Sequence, residues 1–554
     1  MPSRAAQLAR LEEEVFDVAV IGGGINGAAI ARDAALHGLR TALIDRGDFA
    51  GQTSSHSSKL IHGGLRYLPQ GQLGLVREAL RERERLLHLT APHLVHPIGF
   101  IFPIYAEGAV SRLTLWAGLG LYDLLPRTPR ATRHRRLGAR ALLGLEPDLE
   151  PRALRGGALF FDGCGDDSRI TLENAIDAAA HGAAVANYVA FEEFGPRHAG
   201  IRTAALRDTL AGRSLELKTR VFVNAAGPWA DRIRMMDEPG APPAVRFSKG
   251  VHIVLPAAAG NRGHSLVLPD GNGRIVFFMR YPQSILVGTT DTEYAQSLED
   301  VGASLADVDY LLAVVAHYLP GLAPRRADVI GSFAGLRVLA GHPGAPSAIS
   351  REEVVVKGRS GLITVAGGKL TTHRAIAHRV VRMVCAALGR SCGRCPSRST
   401  PLPGARPMPG LDNPPPFAME DGLRRTLQSR YGTRTALLAA LAAERPGEAG
   451  TLVAGCEVLG VEVSHAVRNE MALTLEDFII RRQSMAWRYP RHALAAAEAA
   501  APLMARELGW EACVTQRQIA SVKRLLESSQ PENFRKVQPA SSQEEGGEVK
   551  FGDG

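Results

Sequence analysis

The chain has 554 residues, which at roughly 100 to 200 residues per domain predicts about three domains or two large interleaved ones and excludes a miniature disulfide scaffold. With 45% hydrophobic and 22% charged residues it has an ordinary globular balance, so global disorder is excluded. Lys and Arg number 65 against 56 Asp and Glu, a formal +9 that suits anionic metabolites or an anionic membrane surface; the basic residues are scattered without a basic-aromatic pattern or a C2H2 spacing, and no nucleic acid is expected as a partner.

Residues 1–15 read as a charged leader with three consecutive glutamates, Glu12 to Glu14, and no apolar signal core. Six cysteines in so long a chain are too few for a disulfide framework, and a reducing cytoplasm is the expected compartment. Val15 to Ile21 (VFDVAVI) is a β-branched apolar run, followed by GGGINGAAIARDAALHG and a second apolar run, Thr41 to Ile44. This predicts strand, helix, strand, with Gly38 closing the helix. Leu73 to Leu89 alternates charges and leucines and predicts a solvated surface helix with i,i+4 pairs. Leu113 to Leu125 (LTLWAGLGLYDLL) is too short to span a bilayer; burial is its usual fate, and a membrane interface is the alternative.

From about Leu154 to Leu255 strand-like pieces such as Arg220 to Val223 mix with the helical Thr171 to His181, and Ser265 to Asp291 predicts an antiparallel sheet. The mixture reads as an α/β chain with a second domain inserted into the first. A Pro-, Ser- and Gly-rich linker at 396–416, a helical C-terminal cap domain at 417–527 and a disordered tail at 528–554 complete the plan. The only CxxC, Cys392 to Cys395, has no second pair at finger spacing; no metal is expected, and the cysteines read as incidental residues of an exposed loop, with a redox pair as the alternative.

The glycine fingerprint carries the first chemistry. Gly22 permits a tight turn, Gly24 lets a pyrophosphate approach the helix N-terminus, Gly27 allows close helix-strand packing, and Asp45, at the end of the second strand, can bind a ribose hydroxyl. Ile25 and Asn26 at the helix start and Arg46 beside the acid complete this half of the candidate cofactor site. The fingerprint alone does not separate NAD from FAD.

Further motifs separate them: TSSHSSKLIHGGLRYL at 53–68, DDSR at 166–169, NAAGPWAD at 224–231, KGVHIVLP at 249–256, VGTTDTEY at 287–294, GGKLTTHR at 367–374 and NEMALTLEDFIIRR at 469–482. In this order, over roughly Phe16 to Trp510, the sequence resembles the FAD-dependent, quinone-linked (aerobic) glycerol-3-phosphate dehydrogenases. The resemblance implies a doubly wound, Rossmann-like FAD domain over residues 16–395, interleaved with a β-sheet substrate domain over the flavin at about 70–160 and 240–345, and a helical cap. It implies that Thr53, Ser54, Ser55, Ser57 and Ser58 hydrogen-bond the flavin and its pyrophosphate, although read alone this segment is equally a flexible polar loop. Ala226 and Gly227 belong to the small-residue turn beside the cofactor, and Gly368, Lys369, Leu370 and Thr371 to a backbone-amide site on the flavin ring and ribityl chain.

The implied substrate is sn-glycerol 3-phosphate, held by Arg337 and Arg351 with Lys369 as a further charge, and with Arg66 and Tyr67 nearby. Oxidising a secondary alcohol sends a hydride to the flavin and a proton to a base; His62 in LIHGG is the candidate base, Lys369 and Arg337 compete for the proton-handling role, and His252 and His373 are weaker candidates. Arg66 and Tyr67 are expected to follow His62 on a helix. Val338 stands where the family commonly has proline, which bears on the rigidity of the Arg337 loop. The implied partners are a quinone acceptor and the inner face of the cell membrane, and the resemblance is compatible with a homodimer. Two alternatives follow: an oxidase that uses oxygen, and a flavin-binding sensor or assembly protein without turnover.

Overall fold

A computed structural model describes residues 2–68, 71–106, 112–125, 132–257, 263–340, 353–407 and 419–534. Its first sheet runs Glu353–Lys357, Ile363–Gly367, Ser214–Asn224, Val15–Ile21, Thr41–Ile44, Ala184–Ala186 in spatial order. The last five are parallel, and an antiparallel arm of Val189–His198 and Ile201–Asp208 extends the Ser214–Asn224 strand. Strands buried on both faces read as unbroken apolar runs, which is why VFDVAVI was legible. On one face lie the helices Ile25–Leu36, Asp167–Ala180 and His373–Ala387, joined by a core that includes Val20, Ala28, Ile176, Val223 and Ile376. The other face is closed by the antiparallel arm, the Ala230–Asp237 helix and an N-terminal helix, Arg4–Glu13. The expected charged leader is thus part of the fold: Leu8 and Leu11 are buried, and Arg4 pairs with Asp208 at 2.9 Å.

The second sheet is mostly antiparallel. Its central strands are Val245–Pro256, Ser284–Gly288, Ile275–Arg280, Ser265–Pro269, Val95–Tyr105 and Leu154–Gly165, and the helix Leu305–Tyr318 seals one face. The strand Gly331–Ala340 pairs with Val245–Pro256 from Val254 opposite Gly331 to Val245 opposite Ala340. Arg337 and Val338 therefore lie within a strand and not in a loop. Val338 is buried with Ala230, Val245 and Ala366, so valine contributes apolar contact where proline would lack a ladder donor.

The C-terminal region is helical, with Asp421–Tyr431, Thr435–Glu444, Gly460–Glu470, Ala493–Leu508 and Ala512–Ser528 around two apolar clusters. Part of the expected linker is held in place rather than loose: Leu402 donates its amide to the Thr90 carbonyl at 2.7 Å, and Arg32 donates to the Thr400 carbonyl at 2.7 Å. Residues 408–416 of that linker and 535–554 of the expected tail lie outside the described residues. The helix Leu73–Arg85 is also less solvated than its charges suggest. Glu82 and Arg83 are buried, because Arg374 and Asp162 arrive from distant segments to pair with them.

Candidate cofactor and substrate site

The C-terminal ends of the parallel strands converge on one crevice, the usual ligand position in a doubly wound sheet. Gly22 ends the first strand at φ +108°, and a Cβ there would stand 2.4 Å from the Ala225 carbonyl oxygen. A Cβ on Gly27 would stand 1.8 Å from the Gly22 carbonyl oxygen, so the helix leaves the strand at a distance only glycines allow. Over Gly24, the N-cap, a Cβ would meet only Ser54 Oγ, at 3.1 Å. A side chain would fill this cradle, and the helix amides behind it suit an anionic pyrophosphate. Ser54 Oγ accepts the Ile25 amide at 2.9 Å, and Asn26 Nδ2 donates to the Gly367 carbonyl at 2.9 Å, joining the loop to the last parallel strand.

Asp45 ends the second strand and accepts the amides of Gly23 at 2.6 Å and Gly47 at 2.8 Å. Burial pushes its carboxyl up to about 6 despite those two donors. Arg46 turns outward, over the Trp229 ring at 3.9 Å and onto Glu299 at 3.0 Å. Ala226 donates its amide to Asn224 Oδ1 at 3.2 Å, and Gly227 starts the following turn at φ +55°.

The serine-rich segment splits. Of its hydroxyls, Ser54 is at the glycine loop. Thr53 donates to the Leu336 carbonyl, Ser55 to the Gln52 carbonyl and Ser57 to Asp167 at 2.7 Å, while Ser58 Oγ shares a hydrogen bond with His252 Nε2 at 2.8 Å. These side chains brace the loop. Burial, then Arg337 and Lys59, hold His252 well below its ordinary value, so it is a neutral core histidine stacked on Phe333. His373 is likewise buried and pushed down to about 4, with Nδ1 on the Leu370 carbonyl.

Gly367 and Gly368 both adopt left-handed φ, +74° and +80°, and turn the chain back beneath the crevice. Leu370 joins the apolar cluster that also receives Ile25. Thr371 Oγ1 accepts the His62 amide at 3.1 Å. Half-buried His62 directly follows the short strand Leu60–Ile61, and Arg66 and Tyr67 lie on a single 3-10 turn after Gly64, so His62 is not on a helix. Lys369 Nζ stands 4.0 Å from the buried Tyr67 ring centre and 3.5 Å from the Cβ position of Gly64, within cation–π range. Arg337 is directed at Asp291 at 3.0 Å, Thr289 Oγ1 at 2.9 Å and the Thr290 carbonyl at 3.0 Å. Arg351 and the Arg66 side chain lie outside the described residues.

Behind the crevice is a set of buried ion pairs that residue-by-residue reading missed. Lys59 pairs with Asp167 at 2.8 Å, Arg169 with Glu470 at 2.6 Å, and Arg481 and Arg482 each with Asp48 at 2.6 Å. They bind the cofactor loop to DDSR and to the C-terminal helical motif. The signal was present as motifs, but the pairing was not.

A glycine loop at the strand ends, an acid on the neighbouring strand and a second glycine turn with a lysine beside it form a dinucleotide site, which the matching family model makes that of an FAD-dependent oxidoreductase. A family model described as FAD dependent oxidoreductase matches residues 17–381, and one described as C-terminal domain of alpha-glycerophosphate oxidase matches residues 395–514. The chain is 37% identical over 534 residues to glycerol-3-phosphate dehydrogenase of Mycobacterium leprae, covering 95% of this chain and 90% of the relative. It is 33% identical to the mitochondrial glycerol-3-phosphate dehydrogenase of Homo sapiens, covering 95% of this chain and 75% of that one. The X-ray structure of glycerol-3-phosphate dehydrogenase from Bacillus halodurans complexed with FAD superposes with a TM-score of 0.78 at 27% identity, over 97% of this chain and 99% of that one. The protein belongs to the glycerol-3-phosphate dehydrogenase family of FAD enzymes.

Proposed function

We propose that the protein oxidises sn-glycerol 3-phosphate to dihydroxyacetone phosphate and passes the electrons to a membrane quinone. The observation that carries this reading is one connected patch: Asn26 of the glycine loop bonds Gly367, two residues before Lys369, whose ammonium lies on Tyr67 beside Gly64, within the segment that holds His62 against Thr371. The patch supports reading His62 as the alcohol-oxidising base and Lys369 as the phosphate-binding cation, both beside the dinucleotide loop. Bound FAD supplies the acceptor for the hydride that leaves carbon 2.

The residues divide the remaining work. His62 takes the hydroxyl proton at its imidazole, and Thr371 fixes the backbone from which that ring extends. Lys369 attracts the phosphate dianion as a point charge, and Arg337, oriented by Asp291 and Thr289, adds a fixed guanidinium. Arg66, Tyr67 and Arg351 complete the substrate set. Purified protein tests the reading directly: under anaerobic conditions sn-glycerol 3-phosphate should bleach the flavin absorbance while glycerol and lactate leave it unchanged, and a yellow protein that the phosphate ester does not bleach overturns it.

Among the described residues no helix is long and apolar enough to cross a membrane, so delivery to a quinone calls for a peripheral contact. The helix Arg112–Leu124 offers one: Leu115, Leu119 and Tyr122 face inward, while Leu113 and Leu124 are 76% and 73% exposed. The oxidase name of the C-terminal family favours a second reading, in which oxygen accepts the electrons. Stoichiometric peroxide during turnover in air would support that reading over the quinone.

A further inference from the structure

The CxxC pair lies in a loop whose Ser391, Gly393 and Arg394 are exposed, but its two thiols turn toward the fold. Cys392 and Cys395 are half-buried, and the loop folds onto the end of the glycine-loop helix and onto the helix that follows GGKLTT. His37, the residue that caps the first of these helices, places Nε2 3.8 Å from Cys392 Sγ. His378, on the second, stacks parallel to His37 with ring centres 6.0 Å apart. One ligand atom each from His37, His378 and Cys392 falls within 4.8 Å of the other two, and the same holds for Asp33, His378 and Cys395. The two groups share His378. Three chain segments, more than 350 positions apart at their widest, thus bring two imidazoles, two thiols and a buried carboxylate into two adjoining groups that meet at His378.

We infer that His37, His378, Cys392 and Cys395 form a zinc site, with Asp33 as the carboxylate that orients His378. Zinc bonds of about 2.0–2.1 Å to nitrogen and about 2.3 Å to sulfur place tetrahedral ligand atoms roughly 3.3–3.8 Å from one another. The His37–Cys392 separation already meets that spacing, His378 lies within 4.8 Å of both groups' thiols, and binding would draw Cys395 toward Cys392 and His37. Thiolate and imidazole donors in a closed four-ligand set suit zinc and leave no open position for catalysis. The surroundings fit a metal-bound thiolate. Arg374 Nη1 donates to Cys395 Sγ at 3.0 Å, and Asp33 takes His378 Nδ1 at 3.2 Å and Ser397 Oγ at 2.5 Å, the outer-carboxylate arrangement that holds a ligating histidine. The ion would pin the segment entering the C-terminal region to the two helices of the cofactor crevice.

The test uses the full-length holoprotein, purified without a histidine tag and equilibrated with zinc under reducing conditions. Elemental analysis should give about one zinc per chain that resists a weak chelator, and zinc-edge absorption should show both sulfur and nitrogen shells at about 2.3 and 2.0–2.1 Å. Cys392→Ser and His378→Ala should lose the metal, Cys513→Ser should keep it, and Asp33→Asn should weaken zinc binding roughly tenfold or more. Stripping the metal with a strong chelator should expose Cys392 and Cys395 to a thiol reagent. Zinc removed by a weak chelator, a spectrum without sulfur, or a Cys392–Cys395 disulfide in anaerobically prepared protein would each overturn the site. The spectrum of the unaltered protein decides the matter even if the variants do not fold.

Discussion

His62 and Thr371 exchange two hydrogen bonds: the His62 amide donates to Thr371 Oγ1 at 3.1 Å, and the hydroxyl lies 3.2 Å from the His62 carbonyl oxygen, to which it can donate in return. The contact joins residues 309 positions apart and couples the candidate base to the turn that carries Lys369. The next amide, Gly63, is held by Tyr122 Oη at 2.7 Å, so the segment is fixed from both sides. Thr371→Val keeps the shape and removes both bonds, at about 1–2 kcal/mol. Its kcat/KM for glycerol 3-phosphate should fall roughly tenfold with the flavin content unchanged, and Thr371→Ser should restore most of the loss. Dye-coupled steady-state rates normalised to bound flavin measure this.

Gly22→Ala and Gly27→Ala place a methyl group 2.4 Å and 1.8 Å from the carbonyl oxygens of Ala225 and Gly22, which sit at the ends of two paired parallel strands. Both should yield protein without flavin absorbance. Gly24→Val meets no backbone obstacle and fills the pyrophosphate approach instead, so it should fold with an ordinary melting temperature and still fail to retain FAD. Flavin content beside thermal unfolding separates the two effects.

Lys369→Ala removes a charge beside Tyr67 and Gly64 without touching the glycine loop. Flavin should stay bound while kcat/KM falls at least ~30-fold, corresponding to about 2 kcal/mol or more for deleting one partner of a desolvated charge pair. Loss of flavin in this variant would move Lys369 from the substrate to the cofactor.

Asp45 links cofactor affinity to pH. Burial raises its carboxyl to about 6, and a ribose hydroxyl donates best to the ionised form. FAD uptake by the apoprotein should therefore weaken as pH falls through 6, and Asp45→Asn should bind more weakly but without that pH dependence. Titration of apoprotein with FAD across this range measures both.

The cofactor domain was legible because its signals are local: VFDVAVI, the glycines and Asp45 lie within 31 residues and dictate strand, turn, helix and strand in succession. What was not legible is what depends on distant partners. Glu82 and Arg83 have the charge pattern of a solvated helix, yet Arg374 and Asp162 make them interior ion pairs. The hydroxyls of Ser57 and Ser58 have the composition of a ligand loop but turn inward to Asp167 and His252. Cys392 finds His37 across 355 positions, a spacing no finger pattern contains. Arg337 read as part of a loop because the family commonly has proline at position 338; its pairing with Ser248 in the sheet makes it a strand residue.

Asp48 supplies the most general test of how the parts are held together. It is buried, accepts from Arg481 and Arg482 at 2.6 Å, and is bonded by Asn187 at 3.0 Å. Burial alone would raise its carboxyl, but the two guanidiniums outweigh it and bring the value down to about 2, from 3.8 for a free side chain. A carboxyl lowered on folding stabilises the folded state fully above its unfolded value, and that contribution disappears as pH falls from about 4 to about 2. Its size is about 2 kcal/mol. Asp177, also lowered to about 2 by His181, Arg32 and Arg406 against the effect of burial, titrates in the same window, so the difference between the unaltered protein and Asp48→Asn isolates the interlock. The variant leaves buried guanidiniums short of a counter-charge and should lose about 3–5 kcal/mol near neutral pH, with the gap narrowing by about 2 kcal/mol toward pH 2. Urea unfolding at stepped pH reads both, and a gap that stays constant with pH would show that Asp48 is not ionised in the folded protein.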